Sequence, residues 1–297
     1  MEFMIDSNLN IVSDLLRWGR ERLEKAEIED SAISAELLMR SLLGLSRAQF
    51  ILGHDRLVDP KTESEYKALV ERRAAREPLQ HLIGWVDFYN ITLKADRRAL
   101  IPRPETEILV ETVLGMLKGQ SSPEILDIGT GSGNIAIAIA RSLPGSRLVG
   151  LDISPEALQL AEFNATHNGV EDQIKLVRGD ILDLPFVRSL EAFDCIVSNP
   201  PYVSNLDREI LQPEVVDFEP TVALFSGDDP LIFFKTIVIN ISYILKPGGL
   251  LAFEVGMGQA RLVAKMMRDN FKNVEIANDL AGIERVVTGI YARPDKQ

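Results

Sequence analysis

The strongest constraint on the fold is an alternation of short apolar runs and helical patterns from about residue 104 onward. Short apolar runs bounded by turn residues are typical of buried strands, and apolar spacing of three to four is typical of helices. The predicted strands lie at 125–127, 147–152, 174–177, 193–198, 250–254, 274–277 and 286–291, and the predicted helices at 134–143, 155–168 and 231–245. We therefore predict an α/β domain, doubly wound around a mostly parallel sheet of about seven strands, whose last two strands can run antiparallel.

The N-terminal part has a different pattern of apolar residues. Residues 8–77 show helical periodicity, with Asp30 as a helix-capping residue and Gly44 as a stop, which predicts four or five helices. Between Trp85 and Leu93 aromatic and β-branched residues are interrupted by Asn90, which predicts a short hairpin or extended connector. We divide the chain into a helical bundle at 1–80, a hairpin linker at 81–103 and the α/β domain at 104–297.

Charge and composition narrow the classes of function. The net charge of −12 disfavours non-specific binding to a phosphate backbone. No apolar stretch reaches the ~18 residues that a membrane span requires, and Met1 to Asp6 lacks the basic start of a secretory signal. We therefore expect a cytoplasmic protein without a membrane partner. Cys195 lies within a predicted strand, so we expect a buried structural thiol. The three histidines, His54, His81 and His167, lack the spacing of a metal site, and we predict no metal.

The tetrapeptide Asn199-Pro200-Pro201-Tyr202 lies where a predicted strand ends. Each proline fixes its φ at about −65°, lacks an N–H, and keeps the preceding residue out of the helical region. In such a stiff loop the Asn199 side-chain oxygen and a peptide oxygen can accept both hydrogens of one NH2 group. We predict that Asn199, Pro200 and Tyr202 take part in catalysis and that Pro201 helps them bind a planar amide or an exocyclic amine. A simple strand-ending turn is the alternative.

A glycine-rich turn, Gly129-Thr130-Gly131-Ser132-Gly133, joins the first predicted strand of the sheet to the following helix. Glycines let the backbone approach a ligand closely, and ligands bind at this edge of doubly wound sheets. The dinucleotide fingerprint G-x-G-x-x-G would need a third glycine where Asn134 stands. Asp127, just before the turn, suits a cationic ligand group such as an ammonium or a sulfonium. We therefore predict S-adenosylmethionine as the cofactor, with a nicotinamide cofactor or an empty structural turn as alternatives. The residues predicted to bind it here are Asp127, Ile128, Gly129, Thr130, Gly131 and Gly133, together with Asn199.

Two further strand ends carry acidic residues. Asp152 ends the second predicted strand, 21 residues after Gly131, where a carboxylate can accept hydrogen bonds from ribose hydroxyls. Asp180 ends the third predicted strand, where it can accept from the adenine amino group, and Ile181 can pack on the ring. A turn aspartate followed by a core isoleucine is the alternative for this pair.

With these features the sequence resembles the release factor glutamine methyltransferases (the PrmC/HemK family) over about residues 10–292. The resemblance extends to segments beyond the tetrapeptide and the glycine turn. These are Arg76 to Gln80, Ile101 to Glu107, Leu211 to Val215, Phe218 to Pro220, Leu245 to Gly249 and Glu254 to Gly256.

The resemblance implies a class I Rossmann-like methyltransferase fold and transfer of a methyl group from S-adenosylmethionine to N5 of the glutamine in the Gly-Gly-Gln loop of class I peptide-chain release factors. S-adenosylhomocysteine would be the product. It further implies that residues from Asp127 to Gly131 hold the methionine end of the cofactor, that Asp152 holds the ribose and that Asn199 to Tyr202 hold the substrate glutamine. The N-terminal bundle would help dock the release factor, and we expect a monomer that binds no nucleic acid directly.

Two alternatives stay open on the sequence. Enzymes that methylate N6 of adenine or N2 of guanine share the same kind of loop, although the charge of −12 and the lack of a basic recognition domain disfavour them. A non-catalytic assembly factor of the same fold is the other. The sequence also departs from the usual family pattern at His81, Trp85 and Ile181, which bears on docking and on adenine stacking but not on the reaction.

Overall fold

A computed structural model of the protein describes residues 10–292. The Met1 to Asp6 segment and the outer ends of the predicted first and last domains lie outside the described residues. The described chain forms two compact units. The first comprises the residues up to Gly84 together with Gln212–Phe218, and the second comprises Trp85–Leu211 and the residues from Glu219 onward.

The elements follow one another in a simple order. The helices are α1 (Val12–Lys25), α2 (Ser31–Leu43), α3 (Arg47–Leu52), α4 (Pro60–Ala74), α5 (Leu79–Ile83), α6 (Thr106–Met116), α7 (Asn134–Ser142), α8 (Pro155–His167), α9 (Leu184–Ser189), α10 (Pro213–Phe218), α11 (Thr221–Leu224), α12 (Ile232–Ile244) and α13 (Ala260–Met267). The strands are β1 (Trp85–Phe88), β2 (Ile91–Lys94), β3 (Glu124–Ile128), β4 (Arg147–Asp152), β5 (Ile174–Arg178), β6 (Phe193–Ser198), β7 (Leu245–Glu254), β8 (Phe271–Asn278) and β9 (Glu284–Tyr291).

Helices α1–α5 build the first unit, in line with the predicted helical bundle. Gly44, with φ of 62°, ends α2, and Asp59 caps α4 by accepting from the backbone N–H groups of Lys61 and Thr62 at 3.1 and 3.0 Å. Left-handed glycine and an N-terminal aspartate are the usual signals for these two boundaries. Apolar side chains close the unit around the fully buried Tyr66, whose hydroxyl donates to the Ala35 carbonyl at 3.3 Å.

Helix α10 belongs to the first unit although it follows residue 211 in the chain. Its Glu214 carboxylate accepts from both Arg73 and Arg76 at 3.3 Å, and Arg73 also donates to Asp30 at 3.2 Å. The Arg73 side chain is only 9% exposed, so these bonds neutralise a charge that would be costly to bury alone. No feature of the sequence indicated this long-range pairing.

The second unit contains a seven-stranded sheet in the order β5-β4-β3-β6-β7-β9-β8. The first five strands of that order run parallel, and β9 pairs antiparallel with both β7 and β8. The chain order reverses between β3 and β6, which makes their carboxyl ends a topological switch point and therefore the expected place for a ligand. Apolar clusters cover both faces of the sheet, one of them centred on the perpendicular pair Phe234 and Phe253 at 5.2 Å.

The sequence predictions of fold class and strand number are confirmed, including the antiparallel end of the sheet and the hairpin β1–β2. Some helix and strand boundaries differ from the predicted ones, because pairing between strands decides them more strongly than the local apolar pattern. We expected a helix through Leu245 and a strand from Leu250, whereas β7 already begins at Leu245 because that residue pairs with Phe193 of β6. Asp180 lies two residues beyond the end of β5 rather than at its end.

Helix α6 was not predicted separately, although it contributes to the site described below. Cys195 is completely buried, as expected, and burial raises the pKa of its thiol. Between residues 10 and 292, every helix is too short or too polar to cross a lipid bilayer.

Helix α12 offers a direct test of the second unit's core, because Ile237 is fully buried and Ile239 is 74% exposed on the same helix. We expect Ile237→Ala to lower the free energy of unfolding by about 2–5 kcal/mol, since it leaves a cavity, and Ile239→Ala to lower it by less than about 1 kcal/mol. Denaturant unfolding followed by Trp85 fluorescence in a Trp18→Phe background reports on this unit alone, because the chain has two tryptophans. Equal losses for the two variants would contradict the described packing.

Candidate active site

A cavity lies at the carboxyl edge of the sheet, within the second unit, where the loops after β3, β4, β5 and β6 converge with the segment that precedes α6. Because parallel strands all end at this edge, residues far apart in sequence meet there. The predicted site residues that line it are Ile128, Gly129, Thr130, Gly131, Asp152, Asp180, Ile181, Asn199, Pro200 and Pro201. Asp127, Gly133 and Tyr202 are not among the lining residues.

The glycine turn is held against the neighbouring strand. The N–H groups of Gly129 and Thr130 both donate to the Leu151 carbonyl, at 2.8 and 3.0 Å, and the Gly131 N–H donates to Asp152 Oδ2 at 2.9 Å. Gly129 and Gly131 have φ values of 74° and 56°, a region in which a side chain is disfavoured. The turn therefore presents bare backbone to the cavity.

Asp127 lies behind this turn and is fully buried. Its Oδ2 accepts from the Thr130 hydroxyl at 2.7 Å, whereas its Oδ1 has no hydrogen-bond partner among the described residues. Burial raises the pKa of Asp127 to about 7, against the lowering effect of Thr130 and the Ala136 backbone N–H. Such a carboxyl group can hold the glycine turn in place and would be ionised by a nearby cation.

Asp152 ends β4 and lines the cavity, as the sequence indicated. Its Oδ1 accepts from the Ser154 N–H and its Oδ2 from the Gly131 N–H, both at 2.9 Å. Burial raises the pKa of Asp152, and these backbone bonds oppose the rise. Each carboxylate oxygen keeps a further lone pair, so Asp152 can still accept from two hydroxyls of a ligand.

The sequence left two interpretations open for Asp180 and Ile181: a turn aspartate followed by a core isoleucine, or a pair that binds adenine. The structure is compatible with both. Asp180 accepts from the Leu182 N–H at 2.8 Å, as a turn aspartate does, and Ile181 is 6% exposed within the core. Both nevertheless line the cavity. Their proposed contacts with adenine are therefore sterically open and stay a prediction.

The Asn-Pro-Pro-Tyr loop begins directly after β6. The preceding Ser198 donates through its hydroxyl to the Ile128 carbonyl at 2.7 Å, which ties the end of β6 to the end of β3. Asn199 donates through Nδ2 to the Thr106 hydroxyl oxygen at 3.3 Å. Since the amide nitrogen is used in this way, Asn199 keeps its Oδ1 as an acceptor, and the residue lines the cavity.

Tyr202 is held in place by contacts with Gln259 and Gly256. Its carbonyl accepts from Gln259 Nε2 at 3.1 Å, and its ring lies so close to Gly256 that a Cβ there would be 2.9 Å from Tyr202 Cδ2. Burial raises the pKa of Tyr202 to about 12, with a contribution from Glu254. The phenol therefore stays neutral at physiological pH and cannot serve there as a base.

Two family models match this chain, and curated proteins are similar to it over most of its length. A family model described as the PrmC N-terminal domain matches residues 14–84, and one described as a methyltransferase domain matches residues 120–291. A release factor glutamine methyltransferase from Geobacter sulfurreducens is 39% identical over 279 residues, which is 94% of this chain and 96% of that protein. One from Deinococcus radiodurans is 38% identical and covers 92% of this chain and 96% of its own length.

The chain belongs to the release factor glutamine methyltransferase family. Solved structures support the fold alone. The hMettl16 catalytic domain, crystallised with an RNA hairpin, has a TM-score of 0.56 at 15% identity and covers 82% of this chain and 86% of its own. A methyltransferase from Pyrococcus furiosus has a TM-score of 0.53 at 16% identity and covers 75% and 99%.

Several residues of the site carried no role in the sequence analysis, although they lie in segments that resemble the family. Arg103 and Glu219 form an ion pair at 2.5 Å, and the Glu219 side chain is 1% exposed. Glu219 also accepts from the Ile101 N–H at 3.3 Å. Burial raises the pKa of Glu219, and Arg103 opposes the rise. The pair fixes the 101–103 segment, which lines the cavity.

The sequence analysis also gave no role to Thr106 and Glu254. Thr106 is 1% exposed and lines the cavity, and Glu254 is 3% exposed at the end of β7. Burial raises the pKa of Glu254 to about 7, while hydrogen bonding with Thr106 and Asn199 opposes the rise. The only signal in the sequence was membership of the segments Ile101 to Glu107 and Glu254 to Gly256, because spacing along the chain does not reveal a contact between them.

Asp127 gives the ligand-free protein a predictable pH dependence. With a pKa of about 7, the folded state keeps a proton that the unfolded chain releases near pH ~4. The stability from this proton is fully present below pH ~4 and is lost as the pH rises toward 7. We expect the stability of the wild type relative to Asp127→Asn to fall by roughly 1.4 kcal/mol per pH unit between about pH 5 and 7.

Denaturant unfolding of both proteins across that range checks this expectation. Asp172→Asn, at an exposed position, is the control for loss of a carboxyl group. A pH-independent difference between the wild type and Asp127→Asn would mean that the Asp127 carboxyl group is ionised throughout.

Proposed function

We propose that this protein methylates the side-chain amide nitrogen, N5, of the glutamine in the Gly-Gly-Gln loop of class I peptide-chain release factors, with S-adenosylmethionine as the methyl donor. The observation that carries the proposal is the orientation of Asn199, whose amide nitrogen is taken up by Thr106 so that its oxygen is left to accept from a substrate NH2 group. Family membership over nearly the whole chain supports the substrate class.

The residues of the cavity fit the cofactor. The bare backbone of the glycine turn suits its methionine end, and the unpartnered Asp127 Oδ1 lies buried behind that turn. Asp152 has free lone pairs for the ribose hydroxyls. Asp180 and Ile181 would hold the adenine. When bound, S-adenosylmethionine supplies a methyl group on a positively charged sulfur. Because this donor is already activated, the protein has to align the substrate nitrogen and exclude water.

The substrate amide is a weak nucleophile, since its nitrogen lone pair is delocalised into the carbonyl. Asn199 Oδ1 and the Pro200 carbonyl would accept its two N–H groups and orient the nitrogen toward the methyl group. As the N–C bond formed and the methyl–sulfur bond broke, positive charge would pass from the sulfur to the nitrogen and leave neutral S-adenosylhomocysteine. The two acceptors would stabilise that charge on the nitrogen more than they stabilise the ground state. The neutral Tyr202 ring, which packs against Gly256, would lie against the plane of the substrate amide. The methylated nitrogen would lose its extra proton afterwards, so the transfer itself requires no general base.

A release factor fits this protein better than a nucleic acid does. A protein loop needs no cationic groove, whereas the net charge of −12 opposes a phosphate backbone. Within this proposal the helical residues 1–80 help dock the release factor, and the enzyme works as a cytoplasmic monomer.

The decisive experiment incubates the protein with methyl-labelled S-adenosylmethionine and either purified class I release factor or total RNA. We expect label in the release factor, on the glutamine of the Gly-Gly-Gln loop as located by mass spectrometry, and none in RNA. A release factor whose loop glutamine is replaced by glutamate is the matched control and should stay unlabelled. Label in RNA alone would replace this proposal by methylation of an exocyclic base amine.

Asn199 and Asp152 should affect different steps of the reaction. We expect Asn199→Ala to lower kcat by about 10²-fold or more, because it removes a transition-state acceptor, and to leave the cofactor Kd within a few-fold. Asp152→Ala should instead weaken cofactor binding, because it removes the predicted ribose acceptor. Calorimetric titration of S-adenosylmethionine and steady-state methyl transfer separate the two effects.

The exposed Asn278 on β8 supplies the control variant Asn278→Ala, which should behave as wild type in both assays. Wild-type turnover in Asn199→Ala, or an unchanged cofactor Kd in Asp152→Ala, would remove the role given to that residue.

A further inference from the structure

We infer that Thr106 and Glu254 are positioning residues that hold the Asn199 carboxamide in one of its two possible orientations, with its oxygen toward the substrate. The inference rests on the proposed function, because it explains how the acceptor used in that function is kept in place. Neither residue needs to touch the substrate for this role.

Three separate elements bring the residues together. Asn199 follows β6, Glu254 is the last residue of β7, and Thr106 is the first residue of α6. Strands β6 and β7 are neighbours in the sheet, with Ser198 opposite Phe253, so Asn199 and Glu254 occupy adjacent strand ends. Asn199 Nδ2 donates to Thr106 Oγ1 at 3.3 Å, and hydrogen bonding with Thr106 and Asn199 acts on the Glu254 carboxyl group.

Thr106 alone cannot select an amide orientation. A hydroxyl group can accept from the NH2 end of a carboxamide or donate to its oxygen, and the two ends have nearly the same shape. Asn199 could therefore rotate by 180° and still bond to Thr106. The rotated form would present its NH2 group to the NH2 group of the substrate, and two donors cannot bond to each other.

Glu254 removes this ambiguity when it is ionised. A carboxylate only accepts hydrogen bonds, so an ionised Glu254 accepts from the Thr106 hydroxyl and leaves the Thr106 oxygen to accept from Asn199. Its hydrogen bond with Asn199 likewise requires the NH2 end of that amide. The Asn199 nitrogen must then face Thr106, and its oxygen must face the cavity. Glu254 is 3% exposed and its Oε2 has no hydrogen-bond partner among the described residues, a costly placement that this role accounts for.

The charge state of Glu254 depends on several groups around it. Burial raises its pKa to about 7, Glu105 raises it further, and Thr106, Arg285 and Asn199 lower it. Tyr202, from the loop after β6, also faces Glu254, because the carboxylate contributes to the raised pKa of the phenol. Below pH 7 a protonated Glu254 can donate to the Thr106 oxygen, which lets Thr106 donate to Asn199 Oδ1 and permits the rotated amide.

The test uses the full-length protein with Thr106→Val, Thr106→Ser and Glu254→Gln. Thr112→Val is the matched control, because Thr112 lies on the same helix and its hydroxyl bonds to the Ile108 carbonyl of that helix at 2.7 Å. We expect Thr106→Val and Glu254→Gln to lower kcat by about 10-fold to 100-fold, with the cofactor Kd and the thermal stability close to wild type. Thr106→Ser should restore most of the rate, because it keeps the hydroxyl group.

The pH profile adds a readout that a merely structural role would not change. At saturating cofactor, wild-type kcat should rise as the pH passes through about 7, since Glu254 ionises there, and the rise should be absent in Glu254→Gln. Asp127 has a pKa in the same range in the ligand-free protein, but the saturating cationic cofactor would keep its carboxyl group ionised across the profile. An inflection that persists in Glu254→Gln would therefore contradict this inference.

A measurement without substrate keeps this inference separate from the proposed function. The Asn199 side-chain NH2 signal in 15N–1H spectra, assigned by its loss in Asn199→Asp, should shift with an inflection near pH 7. It should lose that inflection in Glu254→Gln and change its position in Thr106→Val. A wild type that methylates no release factor would overturn the proposed function only. An Asn199 signal that is insensitive to pH and to both substitutions would overturn this inference, as would variants with wild-type kcat.

Discussion

The site depends on the parallel pairing of β3 with β6. Ile128 lies opposite Ser198 in this pair, and the Ser198 hydroxyl closes the join with a buried hydrogen bond of 2.7 Å to the Ile128 carbonyl. The glycine turn starts one residue after Ile128, and Asn199 follows Ser198. A shift of this register by one residue would turn the side chains of β6 to the other face of the sheet and move Asn199 away from the glycine turn. The cavity exists because this pairing fixes both loops at one edge.

The fold could be predicted from the sequence because its signals are local. The strands are short apolar runs, the helix start at Ser154 and Pro155 follows capping rules, and the glycine turn marks the first strand–helix junction. The Asn-Pro-Pro-Tyr loop was also visible, since prolines restrict the backbone wherever they stand. These features require no knowledge of what packs against them.

The support of the site could not be predicted in the same way. Thr106 lies 93 residues before its partner Asn199, and Arg103 lies 116 residues before Glu219. Only the sheet order brings such pairs together, and a threonine or glutamate in a sequence does not show its distant partner. Pairing also moved the start of β7 from Leu250 to Leu245, where the local pattern still favoured a helix. Long-range contacts therefore decided what local periodicity left open.

Three buried carboxyl groups interact with residues that line the cavity, although they do not line it themselves. They are Asp127, Glu219 and Glu254, and burial raises the pKa of each. Burying a carboxylate costs free energy unless it is paired, so apolar residues would give a more stable protein. Only Glu219 has a full ion-pair partner, Arg103. The other two each keep one oxygen without a hydrogen-bond partner in the described part of the chain, in the region where a cationic sulfur and a developing positive charge would be stabilised. Carboxyl groups with a strongly shifted pKa are typical of functional sites. Here the negative charge that they carry when ionised matches the positive charge of the proposed reaction.

The same electrostatics explain why a neutral asparagine stands at position 199. An aspartate would be a stronger acceptor for the substrate amide, but it would place a second negative charge beside Glu254 and leave Thr106 without a donor. Two carboxylates so close together raise each other's pKa, and one of them would hold a proton and act as a donor. A carboxamide gives a fixed acceptor without that ambiguity, provided that its orientation is held from behind. The buried threonine and glutamate behind Asn199 meet this condition, and so the neutral acceptor and its charged support form one arrangement.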